Sequence, residues 1–203
     1  MEEDFLKNDG RKTSSEFSNP LDNFLLENII QPLNPKLKML NVSPNFLTFL
    51  SFLNGVIGAF LVYNSKFLLS TIFLFFALFF DFFDGNYARK YNKVTKIGDY
   101  LDHSTDIIQI ILLYVGVICN SKLEVKDKKI FIIVVSIFLF LSIVDLGCDE
   151  KIYVKNESET LSFSKYLCIG NVYSTKKIIK YFSISTAYMV IIIFLVYFEY
   201  KYK

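Results

Sequence analysis

Arginine is almost absent from this chain. Of 22 basic residues only Arg11 and Arg89 are arginines, and against 20 acidic residues they leave a formal net charge of +2. So small a balance, with no basic stretch interleaved with aromatics, excludes a nucleic-acid partner. Cysteine is also scarce: Cys119, Cys148 and Cys168 lie far apart, match no metal-binding spacing and supply no disulfide framework, so free thiols are expected. The opening residues, MEEDFLKNDGRKTSSEFSNP, lack the apolar core of a cleaved signal peptide. The first membrane helix is therefore expected to direct insertion, with residues 1–20 forming a disordered cytoplasmic tail.

What the chain has in abundance is apolar side chain. Hydrophobic residues make up 53% of its 203 positions and aromatics 17%, only four prolines occur, and the mean hydropathy is +0.38. These residues come in blocks near 46–63, 67–83, 107–119, 130–147 and 178–198, close to the roughly 20 residues a membrane span requires. The expected fold is all-α, a polytopic membrane protein of five or six transmembrane helices, the sixth hidden in residues 148–177. Before them, Leu21, Phe24, Leu25 and Ile29 fall at helical spacing opposite Asp22, Asn23, Glu27 and Asn28. That pattern predicts an amphipathic helix over 21–40 lying in the membrane interface, ahead of a transmembrane catalytic domain at 41–200. With the N-terminus inside, segments 1–45, 84–98 and 148–177 hold 14 Lys and Arg against seven on the other side, which favours that orientation. Gly55 and Ala59 make a small-xxx-small pair, read here as two small residues in a packed span.

One stretch does not fit a plain membrane helix: DFFDGNYARKYNKVTKIGDYLDHSTD, residues 81–106, between two apolar runs. Asp81, Asp84, Gly85 and Ala88 share one helical face, and Gly98, Asp102 and Asp106 share a face of the next helix. The short cationic loop between them makes the helices antiparallel neighbours whose carboxylates can meet. Four carboxylates in a partly dry cleft repel one another unless cations intervene. Ligands that are all oxygen point to Mg²⁺ or Mn²⁺, four aspartates suit two ions, and such a pair clamps a diphosphate. Gly85 and Ala88 leave floor space for a nucleotide. Arg89, a planar fork in a chain that otherwise uses lysine, suits a phosphate or carboxylate. His103 follows Asp102 and is expected to point a quarter-turn away from the site, and Asp145 to be an ordinary interface residue.

The spacing Asp81-x-x-Asp84-Gly85-x-x-Ala88-Arg89, eight residues, Gly98-x-x-x-Asp102-x-x-x-Asp106 resembles the full signature of the CDP-alcohol phosphotransferase (class-I CDP-alcohol phosphatidyltransferase) family. The upstream SPNFLTF is similar to that family's entry into its first membrane helix. The resemblance implies cleavage of a CDP-linked alcohol at its diphosphate, transfer of the phospho-alcohol part to a second alcohol and release of CMP, with Mg²⁺ or Mn²⁺. It implies Asp81, Asp84 and Asp102 as metal ligands and Asp106 as both ligand and general base. Gly85, Ala88 and Arg89 would attend the cytidine and phosphates, among membrane lipids, at the cytoplasmic face, with a homodimer allowed. No serine or cysteine stands where a covalent intermediate would need it, which favours direct displacement. Length favours the small synthases that use CDP-diacylglycerol, such as those making phosphatidylinositol. The segments NPLDNFLLENIIQPL and SPNFLTF, and the Asp102-His103 pair, resemble instead the choline and ethanolamine phosphotransferases. Rivals outside the family are an intramembrane prenyltransferase, whose acidic motifs lie far apart in a longer chain, and a divalent-cation transporter, which has no need of Gly85, Ala88 or a lone arginine.

Overall fold

The computed structural model describes residues 9–152 and 162–203, and every regular element among them is helical. Asn19 caps α1 (Pro20–Leu25), its Oδ1 accepting from the Leu21 N–H at 2.8 Å, and Pro20 occupies the first turn, where a missing N–H is harmless. A π-helical turn, Leu26–Ile30, carries the chain into α2 (Gln31–Met39). The extra residue in that turn shifts the phase of the helix, so its buried side chains are Leu25, Leu26 and Ile30, while Phe24 turns outward. Leu26 and Ile30 pack on Leu47, Phe83 and Tyr87.

Five helical runs are long and apolar enough to cross a membrane: α3 (Pro44–Tyr63), α4 (Phe67–Lys90), α5 (Lys96–Cys119), α6 (Val125–Ile152) and Val172–Lys201. The last comprises α7 (Val172–Ile179), a 3-10 turn (Lys180–Phe182) and α8 (Ile184–Lys201). Among the described residues there is no sixth span. Residues 148–177 hold the end of α6, a short 3-10 helix (Ser162–Leu167) and the start of α7, and 153–161 lie outside the described residues. Large apolar side chains such as Phe60, Ile107, Ile133 and Ile193 stay exposed on the outside of the bundle, the surface a bilayer would cover.

The apolar core gathers Val62, Leu74, Val117, Phe131, Ile191 and Phe198 from α3, α4, α5, α6 and α8. Helix α3 is the centre of the arrangement, since it packs along both α4 and α5. Those two helices, expected to be direct neighbours, make little contact with each other and are held apart as the walls of a cleft. Ser51 and Ser70 tie α3 to α4 by bonding to the carbonyls of Ala77 (2.9 Å) and Gly58 (2.8 Å). On the other side, Gly55 and Ala59 do more than fill space. Gly55 lies beneath the Gln109 side chain, and a Cβ on Gly116 would come within 2.7 Å of the Ala59 carbonyl oxygen. Gly116→Ala is therefore expected to force α3 and α5 apart and cost about 1–3 kcal/mol. A thermal melt in detergent unchanged from wild type would contradict this packing.

Two expectations are corrected. Cys148 and Cys168 form a disulfide joining the end of α6 to the segment before α7, and among the three cysteines only Cys119 is free. The tail is not loose throughout. Arg11, 7% exposed, pairs with Asp9 at 2.8 Å and Glu27 at 2.6 Å, and Asn19 Nδ2 donates to Ser183 and Thr186 at 2.9 Å each. Residues 9–19 thus form a strap across one end of the bundle, whereas residues 1–8 lie outside the described residues.

Candidate active site

The cleft between α4 and α5 is set by how each helix ends. At the end of α4, Asn92 adopts a left-handed conformation (φ 53°) and the Lys93 N–H bonds back to the Ala88 carbonyl at 2.8 Å, which stops the helix. After a short link, Thr95 caps α5, its Oγ1 accepting from the Gly98 N–H at 3.0 Å. The chain therefore reverses within a few residues, and the acidic ends of both helices reach the same level.

All four aspartates meet there. Asp81, Asp84 and Asp102 each offer an oxygen such that the three atoms lie within 4.8 Å of one another, and Asp81 also faces Asp106. Asp84 is buried beside Thr48 of α3, and Gln109 Nε2 reaches Asp106 Oδ1 at 3.4 Å. Two oxygens, Asp84 Oδ2 and Asp102 Oδ1, are buried with no hydrogen-bond partner. Buried acceptors are normally satisfied, and an unsatisfied carboxylate oxygen is costly. A set of close, hard, anionic oxygens with orphaned acceptors fits divalent cations of the Mg²⁺ or Mn²⁺ type.

His103 departs from the expectation. Its Nδ1 lies 3.9 Å from Asp102 Oδ2 and its Nε2 3.3 Å from Asp99 Oδ1, and it groups with Asp102 and Asp106 as a third candidate ligand. The splayed α4 and α5 leave a cleft wide enough to admit a side chain from beside the carboxylate face.

Arg89 lies over Gly85. Its Nε donates to the Gly10 carbonyl at 2.8 Å, and a Cβ on Gly85 would stand 3.2 Å from an Arg89 terminal nitrogen. The guanidinium is thereby held near Asp81, Asp84 and Asp102. Gly10 can serve in the strap only as glycine: its φ is +75°, and a Cβ there would sit 2.5 Å from the Asn86 carbonyl oxygen. Gly85 and Ala88 line a cleft of about 90 Å³ with Asn45, Thr48, Asp84 and Gly98.

A second and larger cavity, about 240 Å³, opens on the other side of the aspartates and runs from Asp81, Asp102 and Asp106 to Asp22, Asp145, Asp149 and Lys176. Asp145 is therefore not an interface residue. It is buried, and its Oδ1 lies 2.6 Å from Lys176 Nζ. Burial pushes the Asp22 carboxyl up to about 6, against the opposing pull of Ser185 and Ser183 close by. Thr48, Gln109, the strap and the Asp145-Asp149-Lys176 group were missed by the sequence reading. For Gln109 the available signal was its place one turn beyond Asp106. For Asp145 and Asp149 it was a pair of acids spaced i, i+4 near the end of a span.

Over residues 41–200 the sequence matches the CDP-alcohol phosphatidyltransferase family. It is similar to an uncharacterized protein of Aquifex aeolicus, 31% identical over 80 residues covering 39% of this chain and 41% of that one. It is also similar to an archaetidylinositol phosphate synthase of Pyrococcus horikoshii, 32% identical over 77 residues covering 38% of this chain and 41% of the relative. The chain thus spans 41% of the length of each of these curated relatives. No solved structure matches it.

Proposed function

The chain belongs to the CDP-alcohol phosphatidyltransferase family, and from that premise we propose that it transfers the phospho-alcohol part of a CDP-alcohol to a second alcohol and releases CMP. Members of the family are transferases of substituted phosphate groups and use divalent metal ions. The observation that carries the reading is the convergence of Asp81, Asp84, Asp102 and Asp106 in one cleft with two orphaned carboxylate oxygens. A transporter would need the acids, but not the arginine that Gly10 holds over Gly85 beside them.

In the proposed reaction Asp81, Asp84, Asp102 and Asp106 would hold two Mg²⁺ or Mn²⁺ ions. When bound, these neutralise the diphosphate and stabilise the leaving phosphate. Gly85 and Ala88 seat the cytidine part in the smaller cleft, and Arg89 orients the phosphates from above. Asp106, steadied by Gln109, takes the proton of the acceptor hydroxyl as that oxygen attacks the phosphorus carrying the alcohol. The bond to the CMP phosphate breaks, its electron pair leaves with CMP, and the proton remains on Asp106. The displacement is direct, and the cytoplasmic face is the side from which soluble substrates enter. CDP-diacylglycerol is the favoured donor. A CDP-aminoalcohol acting on diacylglycerol is the alternative, supported by the likeness of residues 43–49 to those enzymes.

The test is CMP release by purified protein with Mg²⁺, offered CDP-diacylglycerol, CDP-choline and CDP-ethanolamine, each with water-soluble and lipid acceptors. Release from CDP-diacylglycerol alone supports the favoured donor, and release from the CDP-aminoalcohols alone supports the alternative. No release from any donor would overturn the reading. The nucleotide seat has its own test. Gly85→Leu would press on Arg89 and fill the cleft, so it is expected to lose CMP binding although leucine suits a membrane helix. CMP binding intact by equilibrium dialysis would mean that the nucleotide lies elsewhere.

A further inference from the structure

The smaller cleft and the larger cavity have five lining residues in common: Lys12, Gly85, Arg89, Asp102 and His103. Four of them come from the stretch 81–106. Lys12 does not; it stands on the strap, ahead of the residues 41–200 that match the family. A diphosphate that joins a cytidine in the smaller cleft to an alcohol part beyond the aspartates has to cross the place where the two spaces meet. Lys12 and Arg89 are the lysine and arginine side chains that both spaces share.

The strap holds Lys12 there from both sides. The Asp9 carbonyl accepts from Asn86 Nδ2 at 2.9 Å and the Gly10 carbonyl from Arg89 Nε at 2.8 Å, both on α4. Arg11 reaches Asn23 Oδ1 at 3.2 Å besides its pairs with Asp9 and Glu27, and Thr13 is buried. The Lys12 ammonium lies near Asp102 and donates to Glu150 of α6 at 3.2 Å. An ammonium has three N–H donors, so two remain for a ligand. Because the strap and the lysine are ordered before substrate arrives, little entropy is left to lose when it binds.

Resting on the transfer reaction above, we propose that Lys12 is a further catalytic residue, whose ammonium contacts the diphosphate of the CDP-alcohol where the two spaces meet. The strap is then a wall of the active site supplied from outside the family-matched region: the Gly10 carbonyl aims Arg89, and Lys12 adds a second cation. Negative charge builds on the CMP phosphate as its bond to the transferred phosphorus breaks, and a fixed ammonium in a partly dry cleft stabilises it. Bracing alone does not call for this side chain, since Gly10, Arg11 and Asn19 already tie the strap to the bundle.

The experiment measures the affinity of the full chain for CDP, by equilibrium dialysis in lipid nanodiscs with saturating Mg²⁺. Lys12→Gln is expected to raise the Kd by about tenfold or more, the worth of one charge-assisted hydrogen bond. Glu150→Gln breaks the same ion pair but keeps the ammonium, and an amide oxygen that can accept from it, so its Kd is expected to stay within about threefold of wild type. Lys12→Gln leaves the buried Glu150 carboxylate without its partner. The double variant Lys12→Gln/Glu150→Gln removes both charges and is expected to weaken CDP as Lys12→Gln does; it decides the matter if the single variant fails to fold. A Kd unchanged in the double variant, or raised as much by Glu150→Gln as by Lys12→Gln, would overturn the role of Lys12 and leave the transfer reaction standing. Wild-type protein that binds no CDP would overturn both.

Discussion

Asp81→Asn, Asp84→Asn and Asp102→Asn are each expected to abolish detectable transfer while leaving the protein folded in the membrane. Asparagine keeps the size of aspartate and removes its charge. In the metal-free protein that change relieves repulsion among carboxylates whose oxygens lie within 4.8 Å of one another, so no loss of fold is expected. With metal the consequence reverses. A ligand that binds only the folded state raises its stability in proportion to its affinity. Wild type should therefore melt at a higher temperature in Mg²⁺ than in chelator, and each variant should show less of that rise. Loss of activity together with loss of the Mg²⁺-induced shift identifies metal ligands. Near-normal turnover in any one variant under saturating Mg²⁺ would sink the two-ion arrangement.

Removal of Asp106 is expected to separate binding from chemistry. Three aspartates, Asp81, Asp84 and Asp102, still converge without it and can hold metal and diphosphate. The proton of the acceptor hydroxyl, however, loses its destination. A well-placed base contributes about 10²–10⁴-fold in rate, so Asp106→Asn should keep measurable affinity for the CDP-alcohol while turnover falls by about two orders of magnitude or more. His103 is the obvious competitor, because the structure brings it into the cleft. Its Nε2 is engaged with Asp99 at 3.3 Å and its Nδ1 stands 3.9 Å from Asp102, so it braces the α5 acids. His103→Ala should be the milder change. If it proved the more damaging of the two, or if Asp106→Asn failed to bind nucleotide, Asp106 would have to be given up as the base.

The aspartate constellation was legible in the sequence because helical periodicity alone fixes which residues share a face, and α4 and α5 keep regular geometry through the motif. The five spans were legible because apolar blocks of membrane length have few other uses. Their ends were not. The sequence reading stopped the fourth span at Gly147, but α6 runs on to Ile152, since Asp149 and Glu150 find Lys176 and Lys12 as partners and need not face water. Those partners lie 27 and 138 residues away along the chain, and no local pattern announces them. The Cys148–Cys168 bond escaped for the same reason, as a separation of 20 residues carries no framework. The strap reads as disorder because its composition is polar, and its order depends on Arg11 reaching Glu27 on the neighbouring helix. Gly55 and Ala59 were seen as small residues, but the partners they make room for, Gln109 and Gly116, lie on a helix that sequence alone did not place against them.

The central claim is that four aspartates act through bound divalent cations to release CMP. Its most direct test follows CMP release by the purified wild-type protein, stripped with chelator and then titrated with Mg²⁺ or Mn²⁺ in the presence of CDP-diacylglycerol and acceptor. No release is expected in chelator, and recovery is expected with either ion, steeper than first order in metal because two ions are needed. CMP release that persists in excess chelator, or a stripped protein that neither ion revives, would contradict it.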